Sequence, residues 1–156
     1  MPLIASLVLL LGQNNDPVKI WQANYELLIG AMRKKQASNV LRAFHKDYSE
    51  TSDGLVLGLE QVKKHLPARM ETIAKYGQKP IVRGVKSVGY TATVTVDMSY
   101  KAVKKEKGKT NTLLSISRLT DTWVKVGKDY KLFRSVLVST KTTLNGKPVK
   151  PPTKSQ

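Results

Sequence analysis

From Pro80 onward the apolar residues of this chain recur at every second position, whereas before it they recur at every third or fourth. That change of period limits the fold more than any other feature. A stripe at steps of three and four belongs to one face of a helix, and strict alternation belongs to a strand with one buried side. Helices come first and strands after, which makes an α+β class chain. With 156 residues, an apolar leader and a proline-containing tail, there is material for one core only.

The helical half reads clearly. Asp16-Pro17 opens a first helix, since the aspartate can accept free N–H groups of the first turn and proline at that position has no N–H to lose. The stripe Val18, Trp21, Tyr25, Leu28, Met32 follows, and Arg33-Lys34-Lys35 places cations at the negative end of the helix. A short second helix is expected from a Ser38 cap through Val40, Leu41 and Phe44. Residues 46–57 read as a short strand pair turning at Ser52-Asp53-Gly54. A third helix carries Leu59, Val62, Leu66, Met70 and Ile73 on one side and stops at Gly77. Pro67 predicts a kink or break near Leu66, because it removes one helical hydrogen bond and clashes with the preceding turn.

In the second half, Thr91 to Tyr100 alternates most strictly, with Ala92, Val94, Val96, Met98 and Tyr100 on one side. Lys101 to Lys109 reads as a charged connection to a strand over 112–126. Gly127-Lys128-Asp129 turns that strand into another over 130–140, and Asn145-Gly146 marks a further turn. The expected organisation is a leader over 1–13, a domain over 16–141 and a basic tail over 142–156 containing Pro148, Pro151 and Pro152.

The leader, Leu3 to Leu11, has the length of a signal-peptide core and is too short to span a bilayer. It lacks a preceding Lys or Arg and a small-x-small site after it. The expectation is a secreted or periplasmic protein, with a cytoplasmic one whose first segment packs on the domain as the alternative. The net charge of +16, from 27 Lys and Arg against 11 Asp and Glu, gives nearly every surface positive potential. That charge serves solubility on one reading. On the other, Lys101, Lys104, Lys105, Lys107 and Lys109 hold an anionic polymer or membrane surface. No nucleic-acid-binding signature accompanies the charge. There is no cysteine, and His45 and His65 lie in no metal-ligand spacing, so neither a metal nor any other cofactor is expected.

The run Arg118-Leu119-Thr120-Asp121-Thr122-Trp123-Val124-Lys125-Val126-Gly127-Lys128-Asp129-Tyr130 is similar to the last hairpin of the SnoaL-like branch of the nuclear transport factor 2-like, or cystatin-like, superfamily. Phe44 to Asp47 and Ala92 to Val96 also resemble it, and the order of elements from Asp16 to Thr140 agrees. The resemblance implies a cone-shaped single domain, three N-terminal helices packed on a curved antiparallel sheet of four long strands plus a short strand pair. It also implies an apolar pocket at the open end and a sheet-to-sheet homodimer. The branch includes steroid isomerases, dehydratases and polyketide cyclases beside many proteins without known activity, so the fold does not select a reaction.

Asp121 is the carboxylate of interest, because mid-strand aspartate is unfavourable and it shares a face with Leu119 and Trp123. It either lines the pocket as a catalytic or binding group or sits in solvent paired with a lysine. Arg118, on the opposite face of the same strand, could anchor the pocket only if Asp121 does not, since alternation forbids both pointing inward unless a bulge intervenes. Trp21, Tyr25, Tyr48, Tyr100 and Trp123 are the candidate ligand contacts, against the plainer reading of core aromatics. Asp53 reads as a turn residue. No nucleophile-base pair or glycine-rich phosphate loop is present, so the expectation is binding of a small apolar molecule, and any catalysis would be a metal-free isomerase or lyase reaction.

Overall fold

The computed structural model describes residues 16–149. The leader and the last residues of the tail lie outside the described residues. Helix α1 spans Pro17–Arg33, α2 Ala37–Arg42 and α3 Leu59–Tyr76. Strands β1 (Phe44–Ser52) and β2 (Leu55–Gly58) precede α3, and β3 (Lys79–Val88), β4 (Thr91–Glu106), β5 (Lys109–Val126), β6 (Asp129–Leu144) and β7 (Lys147–Pro148) follow it. The expected α+β architecture is present: three helices pack on one curved sheet with the strand order β2-β1-β6-β5-β4-β3. Its one parallel pair is β1 with β6, which makes the sheet mixed rather than wholly antiparallel.

Local chemistry accounts for the ends of the helices. Asp16 accepts the Val18 N–H at 3.0 Å, and the Gln61 side chain reaches back to the Gly58 N–H at 2.7 Å to open α3. Gly77 leaves α3 at a φ of 72°, a conformation that a side chain would strain. Helix α2 differs from expectation: it starts at Ala37 without a side-chain cap, and Phe44 belongs to β1. The Phe44 ring stacks on that of Tyr48 at 4.5 Å, and strand pairing with Leu132 takes its backbone. Tertiary packing outweighs the helical spacing there.

Pro67 does not break α3, which runs through it. Residues 63–65 and Pro67 are exposed, so water can take the Lys63 carbonyl that lost its partner. The segment 101–109 is likewise not a loose connection. Strands β4 and β5 stay paired to Glu106 and Lys109, and Lys107-Gly108 turns between them with φ of 47° and 75°. Positive φ at both central residues is the turn whose twist suits a hairpin. Strand β6 continues past Lys141, and Asn145-Gly146 folds β7 back onto Thr143 and Leu144.

The core lies between α1, α3 and the inner face of the sheet, with Trp21, Tyr25, Val62, Leu66, Val94, Val96, Trp123 and Leu132 all buried. Each large apolar side chain contributes about 1.5–3 kcal/mol relative to exposure. Two bulges shape that inner face. Residues Phe133 and Val138 of β6 are extra relative to β5, whose Trp123, Asp121 and Leu119 pair with Leu132, Ser135 and Leu137. Each bulge reverses the parity of β6. The result turns Leu132, Ser135 and Leu137 all toward the helices.

Candidate functional site

A cavity of about 430 Å³ opens between α1, α3 and the inner face of β1, β4, β5 and β6. Its wall is mostly hydrocarbon, including Leu28, Ile29, Met32, Ile73, Met98 and Leu132. The exposed lining residues Ser52 and Thr72 mark where it meets solvent. The two carboxylates in the wall anchor two separate clusters.

Asp121 anchors the deeper cluster. Alternation along β5 turns it inward, next to Val94 on β4 and Ser135 on β6. It is 2% exposed. One carboxylate oxygen accepts the Tyr25 hydroxyl at 2.5 Å and the other accepts the Ser135 hydroxyl at 2.5 Å. The Tyr25 oxygen in turn accepts the Trp123 indole N–H at 3.0 Å. Burial disfavours the charged form and pushes the Asp121 carboxyl up to about 6, although the two hydroxyl bonds pull it down. The ionised Glu50 elsewhere in the wall adds to the rise. Burial, and then the adjacent Asp121 charge, push the Tyr25 phenol far above its ordinary value, so Tyr25 stays a neutral donor.

Glu50 anchors the second cluster. Arg69 on α3 grips it with two bonds of 2.7 and 3.0 Å, and the Tyr48 hydroxyl donates to it at 3.2 Å. Burial opposes ionisation of Glu50, but the Arg69 guanidinium and the Tyr48 hydroxyl outweigh it, leaving the carboxyl below its usual range. Burial again comes first in raising the Tyr48 phenol, followed by the Glu50 charge. The wall therefore holds one carboxylate fixed in its charged form and one able to exchange a proton near neutrality.

The structure brings Tyr25, Tyr48, Tyr100 and Asp121 to one cavity. Tyr25 and Tyr48 commit their protons to carboxylates, whereas the Tyr100 hydroxyl has no hydrogen-bond partner among the described residues. Trp21 and Trp123 are not in the wall. They pack against each other behind it at 5.2 Å, and Tyr130 closes on Trp21 at 5.3 Å, so they are core side chains, of which Trp123 holds Tyr25 in place through its indole N–H. Asp53 occupies the β1–β2 turn at a φ of 51°. Lys101, Lys104, Lys105, Lys107 and Lys109 are exposed around the far end of the β4–β5 hairpin and line no part of the cavity.

Arg118 points outward, as alternation requires, and joins Arg83 in gripping Asp97 on the other face of the sheet at 2.7–2.9 Å. Asp97 is 4% exposed because those guanidiniums cover it, and they hold its carboxyl down to about 2, Arg118 contributing most. Glu50, Arg69 and Ser135 are the site residues that sequence reasoning missed. Glu50 shares the alternation of Tyr48, two residues away, a usable signal. A lone serine in a strand and an arginine on a helix carry none.

No protein-family profile matches this sequence, and no curated protein matches it. Solved structures do. A protein of unknown function with a cystatin-like fold from Nostoc punctiforme is 16% identical with a TM-score of 0.52, covering 70% of this chain and 80% of its own. An NTF-2 like protein of unknown function from Shewanella oneidensis is 14% identical with a TM-score of 0.51, over 70% of this chain and 88% of its own. The CaMKII hub of S. rosetta is 21% identical with a TM-score of 0.58, over 80% of this chain and 97% of its own. Likeness at this level of identity concerns the fold and carries no activity.

Proposed function

We propose that this chain, which has the nuclear transport factor 2-like fold, binds a small and largely apolar molecule in its cavity, with one polar group of that molecule reaching Asp121. The observation that carries the reading is a near-neutral, buried carboxylate in a wall that is otherwise mostly hydrocarbon. About 430 Å³ lies within the range of small-molecule sites, roughly 300–1,000 Å³. Asp121 accepts one bond at each oxygen from the protein, and a carboxylate has acceptor capacity beyond two bonds. A ligand hydroxyl or N–H could use it, and the unpartnered Tyr100 hydroxyl could meet an acceptor on the same molecule.

Binding is a better reading than catalysis. An isomerase or lyase reaction through Asp121 would need donors converging on a developing oxyanion, and with the Tyr25, Tyr48 and Arg69 donors held by carboxylates, Tyr100 is the one phenol in the wall left to serve. The test is an NMR screen of uncharged apolar molecules in matched pairs with and without one hydroxyl. It uses the wild type, Asp121→Asn, and Leu137→Trp, which fills the cavity from a half-buried wall position. Binding should vanish in Leu137→Trp, and Asp121→Asn should weaken the hydroxylated member of a pair by about tenfold while sparing its partner. Absence of any binder, or binders indifferent to Leu137→Trp, would overturn the proposal.

A further inference from the structure

A second surface lies away from the cavity, where β4 outruns its neighbour. Strand β3 pairs with β4 only from Thr91 to Ser99, yet β4 continues to Glu106. Along Tyr100–Glu106 the backbone of β4 is bonded to β5 on one side, and no described residue pairs with it on the other. At about 3.4 Å per residue that edge is on the order of 20 Å long. It is also preorganised, since the β4–β5 ladder holds without a register shift to the hairpin turn.

The next edge inward is handled differently. On β3 the Gln22 side chain of α1 accepts the Val82 N–H at 2.8 Å and donates to the Pro80 carbonyl at 2.8 Å, so part of that edge is closed by the protein itself. Among the described residues the β4 edge has no such cover, and it carries lysines instead. Asp97 faces outward with Arg118 while Met98 and Tyr100 line the cavity, so alternation puts Lys101, Val103 and Lys105 on the outer face and Ala102 and Lys104 on the inner. Val103 is 54% exposed among them. Edge lysines are a known obstacle to a second copy adding itself, because like would meet like. The same charges favour a strand of opposite sign.

We propose that the β4 edge from Tyr100 to Glu106 accepts an extended acidic peptide as an added strand. Its backbone would complete the hydrogen-bond ladder, and its outward side chains would read acidic, apolar, acidic at alternate positions, opposite Lys101, Val103 and Lys105. Strand addition divides the labour in this way generally: backbone bonds supply affinity, and alternate side chains supply selectivity. Glu106 is the one carboxylate on the segment, and Lys104 holds it at the far end. The edge therefore presents net positive charge along its length.

The test uses the full chain and an end-blocked peptide with glutamates two positions either side of a valine in a threonine background. Titration should show binding that weakens with salt, and amide hydrogens within Tyr100–Glu106 should become protected from exchange. Reversing Lys101, Lys104 and Lys105 to glutamate should weaken binding by about tenfold or more. Reversing Lys19, Lys64 and Lys128 changes the net charge equally, elsewhere on the exposed surface, and should leave binding nearly intact. No peptide binding, binding without amide protection on the edge, or equal loss from both sets of reversals would overturn the proposal. So would an oligonucleotide or anionic lipid vesicles binding as tightly through the same lysines without protecting those amides, which would assign the lysines to a polyanion or a lipid surface.

Discussion

At Asp121 a single side chain joins the stability of the protein to its chemistry. Its folded-state value of about 6 stands above the ordinary 3.8, so the folded protein holds this proton more tightly than the unfolded chain does. The stability tied to that proton is fully present below pH 4 and is lost as pH rises through about 6, a difference of about 3 kcal/mol at most. Asp97 and Glu50 act with the opposite sign. Their carboxyls are held down, so their contributions exist above the ordinary carboxylate range and fade on acidification. Asp121→Asn can keep its oxygen toward the Tyr25 O–H and turn its amide toward Ser135, preserving shape without charge. Denaturation across pH 4 to 7 should therefore show the variant matching the wild type at pH 4 and exceeding it at pH 7. Equal curves for the two proteins would contradict the burial argument. The position of Asp121 mid-strand and on the face of Trp123 was legible in the sequence. Its partners were not, because Ser135 faces it only through the β6 bulges.

Among the elements, α3 carries the clearest departure from local rules. Pro67 sits inside an eighteen-residue helix, on its exposed side, where the ring costs a helical hydrogen bond and stands outside the buried core. Pro67→Ala should raise the stability of the protein by about 1 kcal/mol or more, read as a higher midpoint of unfolding with an unchanged slope. A lower midpoint would mean that the ring does packing work on the helix surface. The order of elements, the face of α1 and the alternation of β4 were all legible, since each rests on a repeated spacing. Three features were hidden for physical reasons. The α2 to β1 boundary depends on Phe44 stacking against Tyr48, the run of lysines is strand because its partner strand extends equally far, and the parallel β1–β6 pair is a long-range contact. No local pattern encodes any of these.

For the molecule as a whole, the inner face of the sheet and the helices enclose a mostly apolar cavity, while the excess of positive charge lies outside it. Among the cavity-lining residues, Arg69 is the only Lys or Arg, and Glu50 neutralises it, so the excess of positive charge acts on encounters and not on the pocket. The basic surface was legible in composition and the order of helices and strands in the change of period, whereas the pocket was expected only from the resemblance to the nuclear transport factor 2-like superfamily. The division of labour within the wall, one carboxylate fixed and one free to titrate, required the coordinates. That division is the central claim, and an NMR titration of the Asp121 side-chain carboxyl tests it most directly, in the free protein and with a saturating apolar ligand. The account predicts a midpoint near 6 that moves upward when an apolar molecule displaces water from the cavity. A midpoint near the ordinary 3.8, unmoved by ligand, would contradict it.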